Sequence, residues 1–421
     1  MTLPEYIGTV FSAHYRRTPS VGHPQASRGS RIEEIDALRG FALFGIIIVN
    51  APVIAGVDNP STGADGTLAD QIAVWLVTIF FSAKFYLLFA FLFGYSFTIQ
   101  VPALTRNRDP TVLRFRRRLV GIFLLGLAHA VLFYPGDILI TYSVLGSGLL
   151  ILRAISIRCA IRTAAYLIVF LTVTFLSVGT YVLSLDQIPP DSAQILTAEA
   201  TEAYLGSPYS VISMNGELYL RNLGSAAVYS LNVFSAFLVG FAAGRCGLFL
   251  NPSSGSRTAD RVFLIGALIG VPGAIFVAAC TYGSYGRDLY YIGQAVSVLT
   301  SPALSATYVC FVIRLRHTRY GGSILRTLGS AGKMSLTNYL AQSITLCVIF
   351  TGYGFGLYGK VGPAALCVGC FLFYLCQLSY SSWIMSRTRY GPAEAILRRI
   401  TLGHKEFNLV RKSRNPASSA K

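Results

Sequence analysis

A single histidine of the chain lies in the middle of a long apolar run. His129 is flanked by leucine and alanine residues, whereas the other four histidines lie in polar segments. An imidazole takes up or releases a proton near neutral pH, which suits a general base or a covalent carrier of a transferred group. The alternative is a structural histidine bonded to a backbone carbonyl. Because ionisable side chains are costly inside a membrane, His129 is the first candidate for catalysis.

An aspartate follows His129 after a short turn. Pro135 and Gly136 bend the chain, and Asp137 then opens the next apolar run. A carboxylate there could orient and stabilise an imidazolium, or it could cap the new helix. Its reach to His129 is not fixed by the sequence, and Tyr142 could face the histidine more directly.

Two further polar residues lie in apolar runs at related depths. Asn50 lies eleven residues after Arg39, as His129 lies eleven residues after Arg118. At a rise of about 1.5 Å per residue, both are about 16 Å from their basic inner ends. Lys84 lies at the outer end of its run, where it could extend to the membrane surface. Asn50, Lys84 and Tyr142 are the candidate donors to an oxyanion.

A second set of polar residues clusters at the opposite, inner ends of the runs. Its members are Asp36, Arg39, Arg116, Arg117, Arg118, Lys333, Asn338 and Gln342. One interpretation is a basic mouth that binds a phosphate-bearing donor from the cytoplasm. The other is positive-inside anchoring by the cations and bonding between helices by the amides.

These residues must be positioned by membrane-spanning helices. The chain is 53% apolar and only 13% charged, with a mean hydropathy of +0.56, whereas soluble domains carry roughly 25% charged residues. A span needs about 20 mostly apolar residues. The predicted spans are 37–57, 83–101, 117–134, 137–153, 164–184, 226–248, 262–281, 290–313, 336–352 and 363–384. The sequence therefore predicts an all-α polytopic membrane protein, a bundle of about ten transmembrane helices.

The charges predict the orientation of this bundle. Arginine and lysine cluster after the even-numbered spans, whereas most acidic residues follow the odd-numbered ones. By the positive-inside rule both termini are cytoplasmic. The net charge of +17 thus reflects cytoplasmic loops and predicts no nucleic-acid partner. The eight cysteines mostly lie in apolar runs and suit packing better than a disulfide framework.

The chain divides into five predicted segments. They are a cytoplasmic tail (1–35), an N-terminal transmembrane half with the candidate histidine (36–184), an extracytoplasmic loop (185–225), a C-terminal transmembrane half (226–403) and a basic disordered tail (404–421). The loop, with a short helix near 193–205, is either a lid over an outward site or a plain connector. Residues 71–82 are predicted to form an interfacial or re-entrant helix before the span that starts at Lys84.

Several motifs together resemble the YeiB family of bacterial membrane proteins. They are Glu34–Ile46 with Val49–Asn50, Lys84–Phe85, Leu92–Tyr95, Arg116–Leu119, Gly126–Ala130, Gly136–Leu139 with Tyr142, Gly332–Tyr339, Gln342–Ser343, Gly352–Gly354, and Arg389–Pro392 with Glu394. The later motifs resemble the domain of unknown function that defines the family. The resemblance extends from about residue 31 to residue 403.

The YeiB family is similar to a superfamily of transmembrane acyltransferases, which includes the lysosomal enzyme that acetylates heparan glucosamine and bacterial sugar O-acyltransferases. The resemblance implies an acyl-CoA co-substrate, with acetyl-CoA as the expected donor, and no metal. The clearest link is the stretch Asp36–Gly40. The bacterial sugar O-acyltransferases carry an essential Arg and His on the first span, whereas here that span has Arg39 and no histidine. His129, although not at the matching position, would take the role of that histidine.

The favoured hypothesis is therefore a membrane-embedded acyltransferase. It would move an acyl group, expected to be acetyl, from cytoplasmic acyl-CoA to a hydroxyl or amine of a glycan or glycosylated small molecule. The alternative is a proton-coupled transporter or exporter, since a His and an Asp within spans also suit proton coupling. A third hypothesis is a structural or sensor subunit. The expected location is the bacterial plasma (inner) membrane, with the lipid bilayer and the acceptor as partners and homodimer formation left open.

Overall fold

The computed structural model describes residues 26–57, 66–102, 109–185, 191–249, 256–283 and 286–412, and these residues form helices joined by short connections. The helices are α1 (Ala26–Ala55), α2 (Leu68–Phe80), α3 (Lys84–Gln100), α4 (Pro110–Leu132), α5 (Leu139–Ile151), α6 (Ile157–Leu183), α7 (Asp191–Leu205), α8 (Pro208–Arg221), α9 (Leu223–Arg245), α10 (Ser256–Tyr282), α11 (Gly286–Leu315), α12 (Gly321–Lys333), α13 (Ser335–Phe350), α14 (Pro363–Arg387) and α15 (Pro392–Lys412).

The lengths and composition of these helices agree with a membrane bundle. Seven helical stretches are long and apolar enough to cross a membrane, with α2 and α3 counted as one, and α5 and α13 are shorter apolar helices. Each of the ten predicted spans coincides with a helix, although α4, α5 and α13 are not among the seven. The predicted fold class, an all-α polytopic membrane protein, is confirmed. The cytoplasmic placement of both termini stays a prediction.

The predicted break before Lys84 is present. Helix α2 ends at Phe80, and Ala83 adopts a left-handed backbone conformation with φ of 67° immediately before α3 begins. A left-handed alanine is uncommon because its Cβ crowds the following carbonyl, so the surrounding packing must hold this turn in place. The interfacial placement of residues 71–82 stays a prediction.

Other boundaries differ from those that the sequence predicts. Helix α1 begins at Ala26, inside the segment predicted as a tail to residue 35, and α15 continues to Lys412, inside the segment predicted as disordered from residue 404. The predicted extracytoplasmic loop (185–225) holds two helices, α7 and α8, where the sequence predicts one short helix. Helix α12 is not among the predicted elements, because it is too short and too polar for a span and buries only one face, including Leu325 and Leu328.

The centre of the bundle is built by α1, α3 and α9. Helix α1 contacts α3, α12, α13 and α14, while α9 packs against α3 and α6. Two glycines allow α3 and α9 to approach closely: a Cβ on Gly94 would lie 2.1 Å from the Phe237 carbonyl oxygen, and one on Gly240 would lie 2.0 Å from that of Phe91. Small residues permit such backbone approach in membrane bundles, where packing rather than the hydrophobic effect drives helix association.

We expect Gly240→Val to separate α3 from α9. The added side chain overlaps a backbone carbonyl that cannot move aside, so the free energy of unfolding should fall by about 1–3 kcal/mol or more. Gly224→Val is the matched control, because Gly224 lies in the same helix and a Cβ added there would meet no atom of the described residues within 4 Å. Thermal unfolding of the purified protein in detergent measures both variants. Equal loss in the two would contradict the close contact.

Candidate active site

The structure brings His129 and Asp137 into direct contact. His129 lies in the last turn of α4, the turn through Gly136 reverses the chain, and Asp137 precedes α5. His129 Nδ1 lies 2.7 Å from Asp137 Oδ2, and both side chains are buried. Asp137 Oδ1 accepts a hydrogen bond from the Ile140 backbone N–H at 2.9 Å. One carboxylate thus does both things considered from the sequence: it holds the histidine and caps a helix.

The second ring nitrogen of the histidine, Nε2, is buried and has no hydrogen-bond partner among the described residues. His129 as a whole is 1% exposed. Because a carboxylate accepts at Nδ1, the favoured neutral tautomer carries its proton there and presents the Nε2 lone pair as an acceptor. A histidine oriented in this way by a carboxylate is the arrangement of a general base.

Tyr339 closes the pair from the C-terminal half of the chain. Its hydroxyl lies 3.5 Å from Asp137 Oδ2, and its ring centroid lies 4.9 Å from that of His129. Tyr339 comes from α13, whereas His129 and Asp137 belong to the N-terminal half. The site is therefore shared between the two halves.

A cavity of about 250 Å³ lies beside this pair. Its wall is mostly aromatic and aliphatic and comes from α1, α3, α4, α5, α13 and α15. Its polar lining residues are Asn50, Tyr86, Arg118, Tyr142, Ser335 and Tyr339. His129 and Asp137 do not line it themselves, but Tyr339 and Gly136 do. The His129–Asp137 pair thus lies behind the cavity wall, next to the wall residues Tyr339 and Gly136.

Two of the three predicted oxyanion donors line the cavity. Asn50 Oδ1 accepts from the Tyr134 hydroxyl at 3.4 Å, which turns the carbonyl side of the amide to that tyrosine. The Tyr142 hydroxyl donates to the Tyr86 carbonyl at 3.1 Å, so its proton is already engaged. Asn50 is consequently the better placed of the two to donate to a ligand.

The structure places Lys84 away from the other predicted oxyanion donors. Lys84 is 2% exposed and does not line the cavity. Its Nζ donates to the Thr78 carbonyl at 2.7 Å, in the last turn of α2. Carbonyls at a helix C-terminus lack partners within the helix and attract cations, so the turn at Ala83 directs this ammonium back onto α2. Lys84 joins two helices and does not face a reacting group.

The inner polar set does not form one mouth. Of its eight members only Arg118 lines the cavity, whereas Arg116, Arg117 and Lys333 are exposed. Arg39 pairs with Asp36 at 2.8 Å and donates to Ser96 Oγ at 2.5 Å. The eight residues therefore do not meet at one cavity, and of the three adjacent arginines only Arg118 lines it, because successive residues of a helix point in different directions. Phosphate binding by this set stays a prediction.

The two amides of that set join helices. Asn338 Nδ2 donates to Ser381 Oγ at 2.9 Å, and Gln342 Nε2 donates to Gln377 Oε1 at 2.8 Å. Both amide side chains are buried, and these bonds connect α13 to α14. This is the structural role that the sequence left open for them, and neither lines the cavity.

Glu394 is a residue that sequence reasoning did not select for the site. Its Oε1 accepts from the backbone N–H groups of Leu336 at 2.7 Å and Thr337 at 3.1 Å, and its Oε2 accepts from the Thr337 hydroxyl at 2.5 Å. A carboxylate at that position satisfies the free donors at the start of α13. Glu394 thereby fixes the helix that carries Tyr339. The only signal in the sequence was its place in the last shared motif.

Helices α7 and α8, from the predicted extracytoplasmic loop (185–225), cover the end of α4. Asn215 Nδ2 donates to the Val131 carbonyl at 3.2 Å and its Oδ1 accepts from the Tyr204 hydroxyl at 2.8 Å. Burial, together with the charge of Asp137, raises the pKa of Tyr219 in α8. The loop is thus packed directly over the candidate site, while its movement as a lid stays a prediction.

Comparisons with known proteins show what this chain is similar to. Residues 243–404 match the family described as "Protein of unknown function (DUF418)". The chain is 29% identical to "Uncharacterized protein YxaH" of Bacillus subtilis over 88% of its length and 94% of that protein. It is also 25% identical to "Uncharacterized protein YeiB" of Escherichia coli, over 87% of its length and 95% of that protein. These matches support a YeiB-like family.

The matches confirm the resemblance drawn from the motifs. A third relative of the YeiB-like family is the "Uncharacterized 39.9 kDa protein in amylase 3'region" of Bacillus acidopullulyticus, 25% identical over 91% of the chain and 97% of that protein. No solved structure matches the chain. The matched region 243–404 includes Tyr339 and Glu394, whereas His129 and Asp137 lie before it.

We expect Asp137→Ala to destabilise the protein more than Asp137→Asn. Alanine leaves both the Ile140 N–H and the histidine without an acceptor, which should cost on the order of 3 kcal/mol. Asparagine keeps an oxygen for the Ile140 N–H, so its cost should be about half as large. Thermal unfolding in detergent gives both values. Equal stability of all three proteins would show that the carboxylate does not hold this turn.

Proposed function

We propose that this protein is a membrane-embedded acyltransferase. The observation that carries the proposal is the buried His129, which Asp137 holds through Nδ1 and whose Nε2 has no partner among the described residues, beside a cavity within the helix bundle. The resemblance of the YeiB-like family to transmembrane acyltransferases supplies the reaction class. The donor would be acyl-CoA from the cytoplasm, with acetyl-CoA as the expected form.

The reaction needs a base that later becomes an acid. Nε2 of His129 accepts the proton of an acceptor hydroxyl or amine as its oxygen or nitrogen attacks the thioester carbonyl carbon. The C–S bond then breaks, and the thiolate leaves with the proton that the imidazolium returns. Asp137 stabilises the imidazolium between these two steps. Atoms and charge balance with acyl-CoA and the acceptor as the two reactants.

Asn50 is the residue we assign to the developing oxyanion. Its Oδ1 accepts from Tyr134, and its side-chain N–H groups make no hydrogen bond within the described residues, so they can donate toward the cavity that Asn50 lines. A donor directed at the charge that forms in the transition state commonly lowers its free energy by a few kcal/mol.

The acceptor would be a glycan or a glycosylated small molecule that reaches the site from the outer side. This assignment rests on the superfamily resemblance, and the bacterial relatives support a location in the inner membrane. The cover that α7 and α8 form over the end of α4 would then limit access from that side.

A donor-labelling assay tests the proposal. Membranes that contain the protein, given labelled acetyl-CoA, should label the protein or an acceptor, and His129→Ala should lower the rate at least about 100-fold. His317→Ala is the matched control, because His317 is exposed and does not line the cavity. Size-exclusion chromatography shows that both variants are folded.

The result also separates the two reaction classes considered from the sequence. Labelling that survives His129→Ala would remove the histidine from the mechanism. Uptake of a solute into vesicles without any donor, and without labelling, would overturn acyl transfer in favour of transport.

A further inference from the structure

Arg118 is a cation inside the bundle that bonds no anion among the described residues. It lines the cavity, and its Nε is buried with no hydrogen-bond partner in the described part of the chain. The ion pairs of the described residues do not include it. An unpaired guanidinium within a membrane bundle is costly, so such a residue generally serves a ligand or an ion pathway.

The charges nearest to Arg118 do not neutralise it by direct contact. Arg39 and Glu394 act on it electrostatically. Arg39 is itself paired with Asp36 at 2.8 Å. The Glu394 oxygens accept the two backbone N–H groups and the hydroxyl at the start of α13. The guanidinium of Arg118 therefore retains its capacity to bind an oxyanion.

The rest of the cavity defines what such a ligand must carry besides its anion. The wall beyond Arg118 is formed largely by apolar side chains, including Phe85, Phe89 and Phe93. A guanidinium binds phosphate oxygens through two parallel hydrogen bonds, and an apolar wall favours an uncharged chain. The cavity thus suits a molecule with a phosphate at one end and an apolar arm.

We propose that Arg118 is the phosphate-binding residue of the cavity, and that the arm of the same ligand occupies the space between Arg118 and Tyr339. The proposal rests on the proposed function only for the source of the phosphate, which would be the coenzyme A part of the donor. A phospholipid headgroup carries the same chemistry, and the experiment distinguishes the two.

Inorganic pyrophosphate tests the anion site without any acyl chemistry. At constant ionic strength it should raise the thermal midpoint of the detergent-purified wild type in a saturable way, because a ligand that binds only the folded state stabilises it. Arg118→Gln should weaken its apparent affinity roughly 10- to 100-fold. Arg118→Lys, which keeps the charge but loses the planar fork, should fall between the two.

Two further variants sharpen this result. Arg158→Gln removes an exposed arginine at the start of α6 and should bind pyrophosphate as the wild type does. Arg116→Gln tests whether the neighbouring exposed arginine shares the site. The proposal is overturned if the wild type shows no saturable shift, if Arg118→Gln keeps the wild-type affinity, or if either of these two variants loses as much as Arg118→Gln.

Binding of larger ligands identifies the source of the phosphate. Coenzyme A is compared with pantetheine, its uncharged arm, and dihexanoyl phosphatidic acid with dihexanoylglycerol. Arg118→Gln should weaken the binding of coenzyme A at least about tenfold and leave that of pantetheine unchanged. A loss for the phosphatidic acid alone would assign the site to a lipid headgroup. Failure of acetyl transfer with intact binding of pyrophosphate at Arg118 would reject the proposed function and retain the anion site.

Without ligand, Arg118→Gln reports on the resting state. If Arg118 has no ion-pair partner in the ligand-free protein, Arg118→Gln should leave the thermal midpoint unchanged or raise it, since the substitution removes an unpaired guanidinium from the bundle. A marked fall in the midpoint of the ligand-free variant would indicate a structural ion pair and would contradict the assignment.

Discussion

The hydrogen bond between His129 and Asp137 organises the part of the bundle in which chemistry is feasible. In water such a bond competes with solvent, but inside a membrane bundle the two groups have few alternatives, so each fixes the other. The carboxylate also caps α5 through Ile140, and the backbone of the turn thereby becomes part of the site. The contact thus links the imidazole to the turn through Gly136, which lines the cavity.

The sequence was informative about the spans because hydrocarbon tolerates so few polar groups. Apolar runs and the alternation of charge located a helix for every predicted span, and the break before Lys84 followed from a run too long for one helix. Helices α8 and α12 were missed since they are short and mixed in composition. Their helical form depends on packing against neighbours, which periodicity alone does not reveal.

Only part of the candidate site could be predicted from the sequence. His129 and Asp137 stood out as scarce ionisable groups, and their contact spans eight residues of sequence. Tyr339 lies 202 residues from its contact Asp137, and Glu394 lies 58 residues from its contact Leu336. Nothing in the local sequence marks a tyrosine or a carboxylate as a partner of a distant helix. The surroundings of Lys84 were inaccessible for a related reason: the residue type was informative, but the Thr78 carbonyl that it contacts is brought to it by the turn at Ala83.

The three adjacent arginines, Arg116, Arg117 and Arg118, show that neighbours in sequence need not share one binding site. Successive helix positions are rotated by about 100°, so three adjacent arginines cannot face one point. Arg116 and Arg117 are exposed while Arg118 lines the cavity. Composition predicted the sign of charge at this end of the bundle, and helix geometry decided which single residue of the three could act within it.

The contribution of Tyr339 has an implication for how this chain can evolve. The region that matches the family of unknown function, residues 243–404, holds Tyr339, whereas His129 and Asp137 lie upstream of it. Neither portion contains a complete constellation. Splitting the gene between them, or transplanting the matched region onto another membrane protein, would separate the tyrosine from the groups it touches. The contact between Tyr339 and Asp137 therefore requires both portions in one folded bundle.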